Sequence, residues 1–195
     1  MKKLPISFYT RKATVVAKNL LGKLLVHQTK AGLTSGMIVE TEAYIGAYDK
    51  ACHAYHNHSA RTDIMFHPGG IAYVYLIYGM YSCFNVVTGL AGQGDAVLIR
   101  ALEPVDGLDL MQKRRGRQKN FINLTNGPGK LCQAMDITRE LYGAKLQSTK
   151  LYLAEYRKIP RSQILISPRR NIDYAEEAKD FLWRFYVKNN PYVSK

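Results

Sequence analysis

Residues 72–87, Ala-Tyr-Val-Tyr-Leu-Ile-Tyr-Gly-Met-Tyr-Ser-Cys-Phe-Asn-Val-Val, read as two strands folded back on each other. Ala72–Ile77 and Ser82–Val87 are rich in the β-branched and aromatic side chains that suit a pleated surface. Tyr78-Gly79-Met80-Tyr81 between them supplies the turn. A short connection of this kind joins antiparallel strands only. Working outward, Lys23–His27, Gly36–Ile45 and Ala96–Leu102 read as further strands, the last ended by Glu103-Pro104. Three more fall near 150–156, 162–166 and 184–187. Helices lie between them. Thr10 reads as an N-cap for a helix through about Leu21, with Gly22 as its stop. Pro104 reads as the first residue of a helix running into a basic cluster. Asn126-Gly127-Pro128-Gly129 opens a helix through about Ala134, Thr138–Tyr142 forms a short one ended by Gly143, and another falls near 173–182. Strands in runs with recurring hairpins predict an α+β fold around a mostly antiparallel sheet, not a doubly wound parallel one. No repeat or linker interrupts the chain, so residues 1–195 are expected to form a single domain.

The charge narrows the partners. The chain has 195 residues, with 28 Lys+Arg against 15 Asp+Glu, a formal net charge of +13. Residues 1–39 hold seven of the bases and no acid, the first carboxylate being Glu40. Lys113-Arg114-Arg115-Gly116-Arg117-Gln118-Lys119 is a second acid-free run. The stretch from Tyr156 to Ile172 is a third, with Arg157, Lys158, Arg161, Arg169 and Arg170. Any one run is compatible with a solvated face, but counterion release along a phosphate backbone rewards three of them together. Fourteen tyrosines add flat, stackable faces with polar rims. Hydrophobic residues at 47% exclude wholesale disorder. Cys52, Cys83 and Cys132 are an odd set without a C-x-x-C pair, which argues against a disulfide framework and fits a reducing cytoplasm. The most apolar stretch, Ile71 to Val87, is short of the ~20 apolar residues a spanning helix needs, so no membrane partner is expected.

Several patterns carry chemistry. On a strand, Glu40, Glu42 and Tyr44 of Val39-Glu40-Thr41-Glu42-Ala43-Tyr44 share one face. That face is either solvated or functional. Arg100 is the one charge in the apolar strand Ala96–Arg100, and a charge so placed is paired or functional; Glu42 is the obvious partner. Tyr73 and Tyr75 share a face. Tyr78 sits at the hairpin tip, either packing there or standing out as a wedge between base pairs. His53, His56 and His58 cluster beside Cys52, but their spacing matches no zinc pattern, and no metal is expected. The Gly-Pro-Gly-Lys stretch ending at Lys130 leads into a helix N-terminus that can hold a phosphate.

Taken in order, the blocks VETEAY (39–44), His53, MF (65–66), YVYLIYGMY (73–81) with Asn85, VLIRALEP (97–104), GPGKLCQA (127–134) and WRFYV (183–187) resemble the alkyladenine type of 3-methyladenine DNA glycosylase. The resemblance implies a curved antiparallel sheet with flanking helices and a protruding hairpin. It implies no cofactor, no metal and no obligate protein partner. The implied substrate is double-stranded DNA containing damaged purines, which the enzyme flips out and cleaves with an activated water, leaving an abasic site. Glu42 matches the general base, and Arg100 the arginine that helps hold the water. Tyr44, His53 and Tyr75 match the walls of the base pocket. Asn85 matches the side chain that crowds guanine's exocyclic amine, and Tyr78 the intercalating tyrosine. Lys130, Arg61 and Arg169 are expected at the DNA backbone, and the Arg170 carbonyl beside the water. Thr62 and Arg170-Asn171 depart from the family pattern, which carries Asn and an apolar-Gly pair. Two other readings stand beside this one: a non-catalytic basic nucleic-acid-binding domain in which Glu42 and Arg100 form only an ion pair, and a metal-dependent hydrolase on the His53 loop.

Overall fold

A computed structural model describes residues 1–194. The helices are α1 (Ile6–Tyr9), α2 (Ala13–Leu20), α3 (Leu108–Arg114) and α4 (Pro128–Met135). The strands are β1 (Leu24–Thr29), β2 (Gly32–Tyr44), β3 (Ala72–Ile77), β4 (Tyr81–Thr88), β5 (Asp95–Asp106), β6 (Leu151–Ala154), β7 (Ile164–Ser167) and β8 (Arg184–Val187). All eight join one antiparallel sheet in the order β3-β4-β5-β2-β1-β6. The first half of the long strand β2 pairs with β1, and its second half pairs with β8, which carries β7. This is the expected α+β architecture around a curved, unclosed sheet.

The two sheet faces differ. Val39, Ala43, Val97, Ile99 and Ala101 point into the main core, against α2 and its neighbours. Thr41 points the same way, and its hydroxyl donates to the Ala17 carbonyl at 2.9 Å. Alternation then sends Glu42 and Tyr44 to the opposite face. Two irregularities complete that face. Ile38 pairs with Leu102 but Glu40 with Ala101, so Val39 is an extra residue on β2. Glu40 pairs with Ala101 but Thr41 with Ile99, so Arg100 is an extra residue on β5. A bulge re-aims the side chain it carries, and here it turns Arg100 toward both glutamates.

Several element boundaries differ from expectation. The helix expected from an N-cap at Thr10 through about Leu21 is α2, which starts later, at Ala13 after Lys12, while Thr10 instead ends α1. The cause is tertiary: Tyr9 is buried and its carbonyl accepts from Gly89 N–H at 2.9 Å. Pro104 does not start a helix; it lies within β5, beside a further register shift opposite Ser35 and Gly36. A bulge is where a strand tolerates the missing proline N–H. Helix α3 starts after Gly107, whose φ of +76° reverses the chain. Residues 173–182 hold only a 3-10 turn, Glu176–Asp180, entered at a positive φ at Glu176. The strand near 150–156 stops at Ala154, and residues 155–160 are irregular.

Candidate active site

Glu42 is fully buried, and three donors converge on it. Oε2 accepts from Arg100 Nη1 at 3.2 Å and from the Tyr44 hydroxyl at 2.8 Å. Oε1 accepts from the Arg170 backbone N–H at 2.8 Å. An ionised carboxylate has about four acceptor sites, so one remains for a fourth donor. Arg100, Tyr44 and Arg170 all line a cavity of about 550 Å³. Glu42 therefore sits one hydrogen bond behind the cavity wall. Burial works against the Arg100 charge, but Glu42 and Glu40 outweigh it and hold the guanidinium above its ordinary pKa.

Glu40 shares that sheet face with different partners. It accepts from Arg100 Nε at 3.2 Å, Arg184 Nε at 2.6 Å, Ser194 N–H at 2.7 Å and Ser194 Oγ at 2.9 Å. Arg100 thus bridges the two carboxylates, and the end of the described chain closes over Glu40. Neither Arg184 nor Ser194 stood out in the sequence as a site residue. Arg184 lies in the WRFYV block, but Ser194 carries no signal at all.

The cavity wall is aromatic. His53 Nδ1 lies 2.9 Å from the Tyr73 hydroxyl, and its ring centroid is 4.6 Å from that of Tyr75. Burial and the Arg61 charge lower the His53 pKa from 6.5 to about 4, so the ring is neutral near pH 7. Burial likewise raises the Tyr44 and Tyr75 hydroxyls above their ordinary range. Asn85 Nδ2 donates to the Tyr73 carbonyl at 3.2 Å, which fixes the amide at the wall. Arg61 lies over the Tyr75 ring at 5.2 Å, with Nη2 3.4 Å from His53 Nδ1. It is therefore at the cavity mouth, exposed to solvent. Tyr174, at the same cavity and 69% exposed, was not anticipated.

Tyr78 also borders this cavity and is 81% exposed. The turn closes with Met80 N–H donating to Ile77 C=O at 3.2 Å. Its central residues, Tyr78 at φ +53° and Gly79 at φ +69°, both adopt the left-handed conformation. That pair matches strand twist in a tight hairpin, yet a tyrosine there costs roughly 1–2 kcal/mol. Met80 and Tyr81 beside it are exposed as well. The hairpin tip thus offers three large side chains to a partner.

The remaining cations divide. Arg169, expected at the DNA backbone, is buried and holds Asp49 through both terminal nitrogens. It also donates to the Ala43 and Ala178 carbonyls and lies between Tyr44 and Trp183, at 4.6 and 5.1 Å from their rings. Its guanidinium is not free for phosphate; it backs Tyr44. Lys130 is half-buried in the first turn of α4, donating to Asn126 Oδ1 at 2.8 Å. Its neighbour Pro128 lines the cavity. In the run 113–119, Arg114 and Arg115 tie α3 to α4 through Ala134 and Gln133, while Lys113, Arg117 and Lys119 remain exposed. The His53 loop does not gather its imidazoles: His58 stacks on Phe66 and pairs with Asp63, and His56 lies against Tyr55. Thr62 is buried and closes the Ser59 turn, its hydroxyl donating to the Asn57 carbonyl at 2.8 Å. Asn171 takes φ +58°, a conformation glycine adopts at no steric cost, just after the N–H that holds Glu42.

A buried carboxylate–guanidinium pair behind an aromatic cavity, with an exposed aromatic hairpin tip at its rim on a strongly basic chain, here belongs to a DNA glycosylase, a hydrolase of N-glycosyl bonds, as its relatives show. The family model described as methylpurine-DNA glycosylase (MPG) matches residues 7–191, and the chain belongs to that family. It is 51% identical to the protein named "Putative 3-methyladenine DNA glycosylase" of Alkaliphilus oremlandii, covering 99% of each chain. It is 48% identical to the protein of the same name in Clostridium novyi, over 100% of both. The namesake in Bacillus cytotoxicus is 51% identical, over 99% of this chain and 100% of its own. Among the described residues no helix is long and apolar enough to cross a membrane.

Proposed function

We propose that residues 1–195 act as one cytoplasmic repair domain. It extrudes alkylated purines, 3-methyladenine foremost, from duplex DNA and releases them by hydrolysis. Hypoxanthine, ethenoadenine and 7-methylguanine are the further candidates. The observation that carries this reading is the Glu42–Arg100 pair directly behind the aromatic cavity. The attacking water takes the fourth acceptor site of Glu42, beside Arg100 and the Arg170 backbone. Glu42 accepts its proton while the sugar passes through an oxocarbenium-like transition state. The extruded purine stacks on Tyr44 and against His53 and Tyr75, and Asn85 excludes bases with a bulky edge. Tyr78 fills the gap left in the duplex. No lysine lies in the Glu42 or Arg100 strand segments, so release leaves an abasic site without strand scission. Nicking of the product strand without added base would contradict this.

The neutral His53 ring gives the pH test. A neutral imidazole accepts a cationic base such as 7-methylguanine without repulsion. As the pH falls toward about 4, the ring gains a proton and repels that base but not neutral hypoxanthine. The release ratio of 7-methylguanine to hypoxanthine will be flat from about pH 8 to about pH 6 and fall below that. Taking a ratio cancels whatever affects both lesions alike. A ratio that instead changes near pH 6.5, the ordinary histidine value, would place His53 away from the bound base.

Tyr78→Ser tests the wedge. Stacking by an aromatic side chain is worth about 1–3 kcal/mol per base. The variant will lose that much affinity for lesion duplex and less for intact duplex, with an unchanged thermal midpoint because Tyr78 is exposed. Equal losses on both duplexes would remove the wedge.

A further inference from the structure

Two of the three acid-free runs converge on a place that base excision does not use. Arg11, Lys18 and Lys23 from the first, with Arg157, Lys158 and Arg161 from the third, line a groove of about 790 Å³. Its floor is apolar, with Val15, Leu21, Ile159 and Phe185. The convergence is built into the backbone. Arg157 N–H donates to the Gly22 carbonyl at 2.8 Å, latching the 155–160 segment to the end of α2. A Cβ on Gly22 would lie 2.2 Å from the Arg157 carbonyl oxygen, so only glycine permits the approach.

The groove is short of anions. Its one acid, Glu155, is taken by Lys23. Among the described residues, Lys18, Lys158 and Arg161 have no side-chain partner, and Arg11 Nη2 is buried without an acceptor. The groove is also on the wrong side for the substrate strand. It borders α2, which packs against the Thr41 face of the sheet, whereas Glu42 and the cavity belong to the other face. A chain of this length has a radius of gyration of about 16 Å, and a straight short duplex lying across the cavity does not reach behind the sheet.

We propose that this groove binds the phosphate backbone of a second DNA duplex, so that the protein passes from one segment to another without release into solution. Of the four apolar side chains, Leu21 and Phe185 are buried, Ile159 is half-buried and Val15 alone is exposed, which suits a backbone seated between cations better than a lipid surface. The inference rests on DNA being the partner at the cavity face, but it does not depend on which base is excised.

The test is a chase. A labelled duplex carrying a stable abasic-site analogue is bound to the full chain and displaced by unlabelled intact duplex. With a second seat, the dissociation rate of the label will rise with competitor concentration. In the triple variant Lys18→Glu, Lys158→Glu, Arg161→Glu it will be independent of it. Single-turnover base release from a short duplex will be unchanged. With Gln at the same three positions, the log–log salt slope of second-duplex binding will flatten by about 2.7, which guards against misfolding of the charge-reversed chain. Four results would overturn the proposal: a wild-type rate that ignores competitor, a variant rate that still follows it, a parallel loss of base release, or polyglutamate held by the groove in place of a second duplex. Failure of wild-type base release with the chase intact would sink the proposed function and leave this inference standing.

Discussion

Glu42→Gln will bind lesion-bearing duplex nearly as well as the wild type and release its base about 10²–10⁴-fold more slowly, the usual contribution of a positioned general base. The change keeps side-chain volume and one carbonyl oxygen, so Arg170 N–H still has an acceptor. What disappears is the charge. An amide nitrogen cannot take a proton from water, and it presents its own hydrogens to the Arg100 and Tyr44 donors. Arg100 keeps Glu40 as a counter-charge, so no buried cation is stranded and the fold survives. The measurement is single-turnover release at saturating enzyme, beside binding to an abasic-site analogue. Undiminished release would remove Glu42 from the mechanism and reduce Glu42–Arg100 to a structural ion pair.

Glu40→Ala will have the opposite profile. Its removal leaves the buried Arg184 guanidinium and the Ser194 N–H without their carboxylate, and Arg100 with Glu42 alone. Breaking a buried ion pair by deleting one partner costs about 3–5 kcal/mol. In a chain of this size that lowers the thermal midpoint by roughly 6–20 °C. Calorimetry checks it directly. At a temperature where the variant is folded, base release will fall less than in Glu42→Gln, because Glu40 touches the reaction only through Arg100. An unshifted midpoint would show that the Ser194 closure contributes nothing. With both outcomes, two glutamates two residues apart on one strand face would divide chemistry from architecture.

The pairing of Glu42 with Tyr44 was legible from strand alternation, and the hairpin tip from its turn residues. Arg100 was legible as a lone charge in an apolar strand. The bulge that aims it was not, because an extra residue is visible only once both strands are paired. Arg169 was misread for a related reason. It falls in the acid-free run from Tyr156 to Ile172, but folding brings Asp49 to it from 120 residues away. The distinction between Glu40 and Glu42 was equally hidden, since it depends on Arg184 and Ser194 near the other end of the chain. The helix expected from Thr10 begins at Ala13 instead, because Thr10 ends α1, whose Tyr9 carbonyl is held by Gly89, a partner no local pattern could reveal.

The two extra residues in the central strand pair, Val39 on one side and Arg100 on the other, offset each other. Beyond them Thr41 and Ile99, Glu42 and Leu98, and Ala43 and Val97 sit opposite each other as in a regular ladder. Deleting both would leave the strand count, the loops and the ladder partners as they are, while removing the guanidinium that faces the buried Glu42. The proposed base release thus depends on a local detour in an otherwise ordinary lattice, since the counter-charge of Glu42 is carried by a residue the ladder itself does not need.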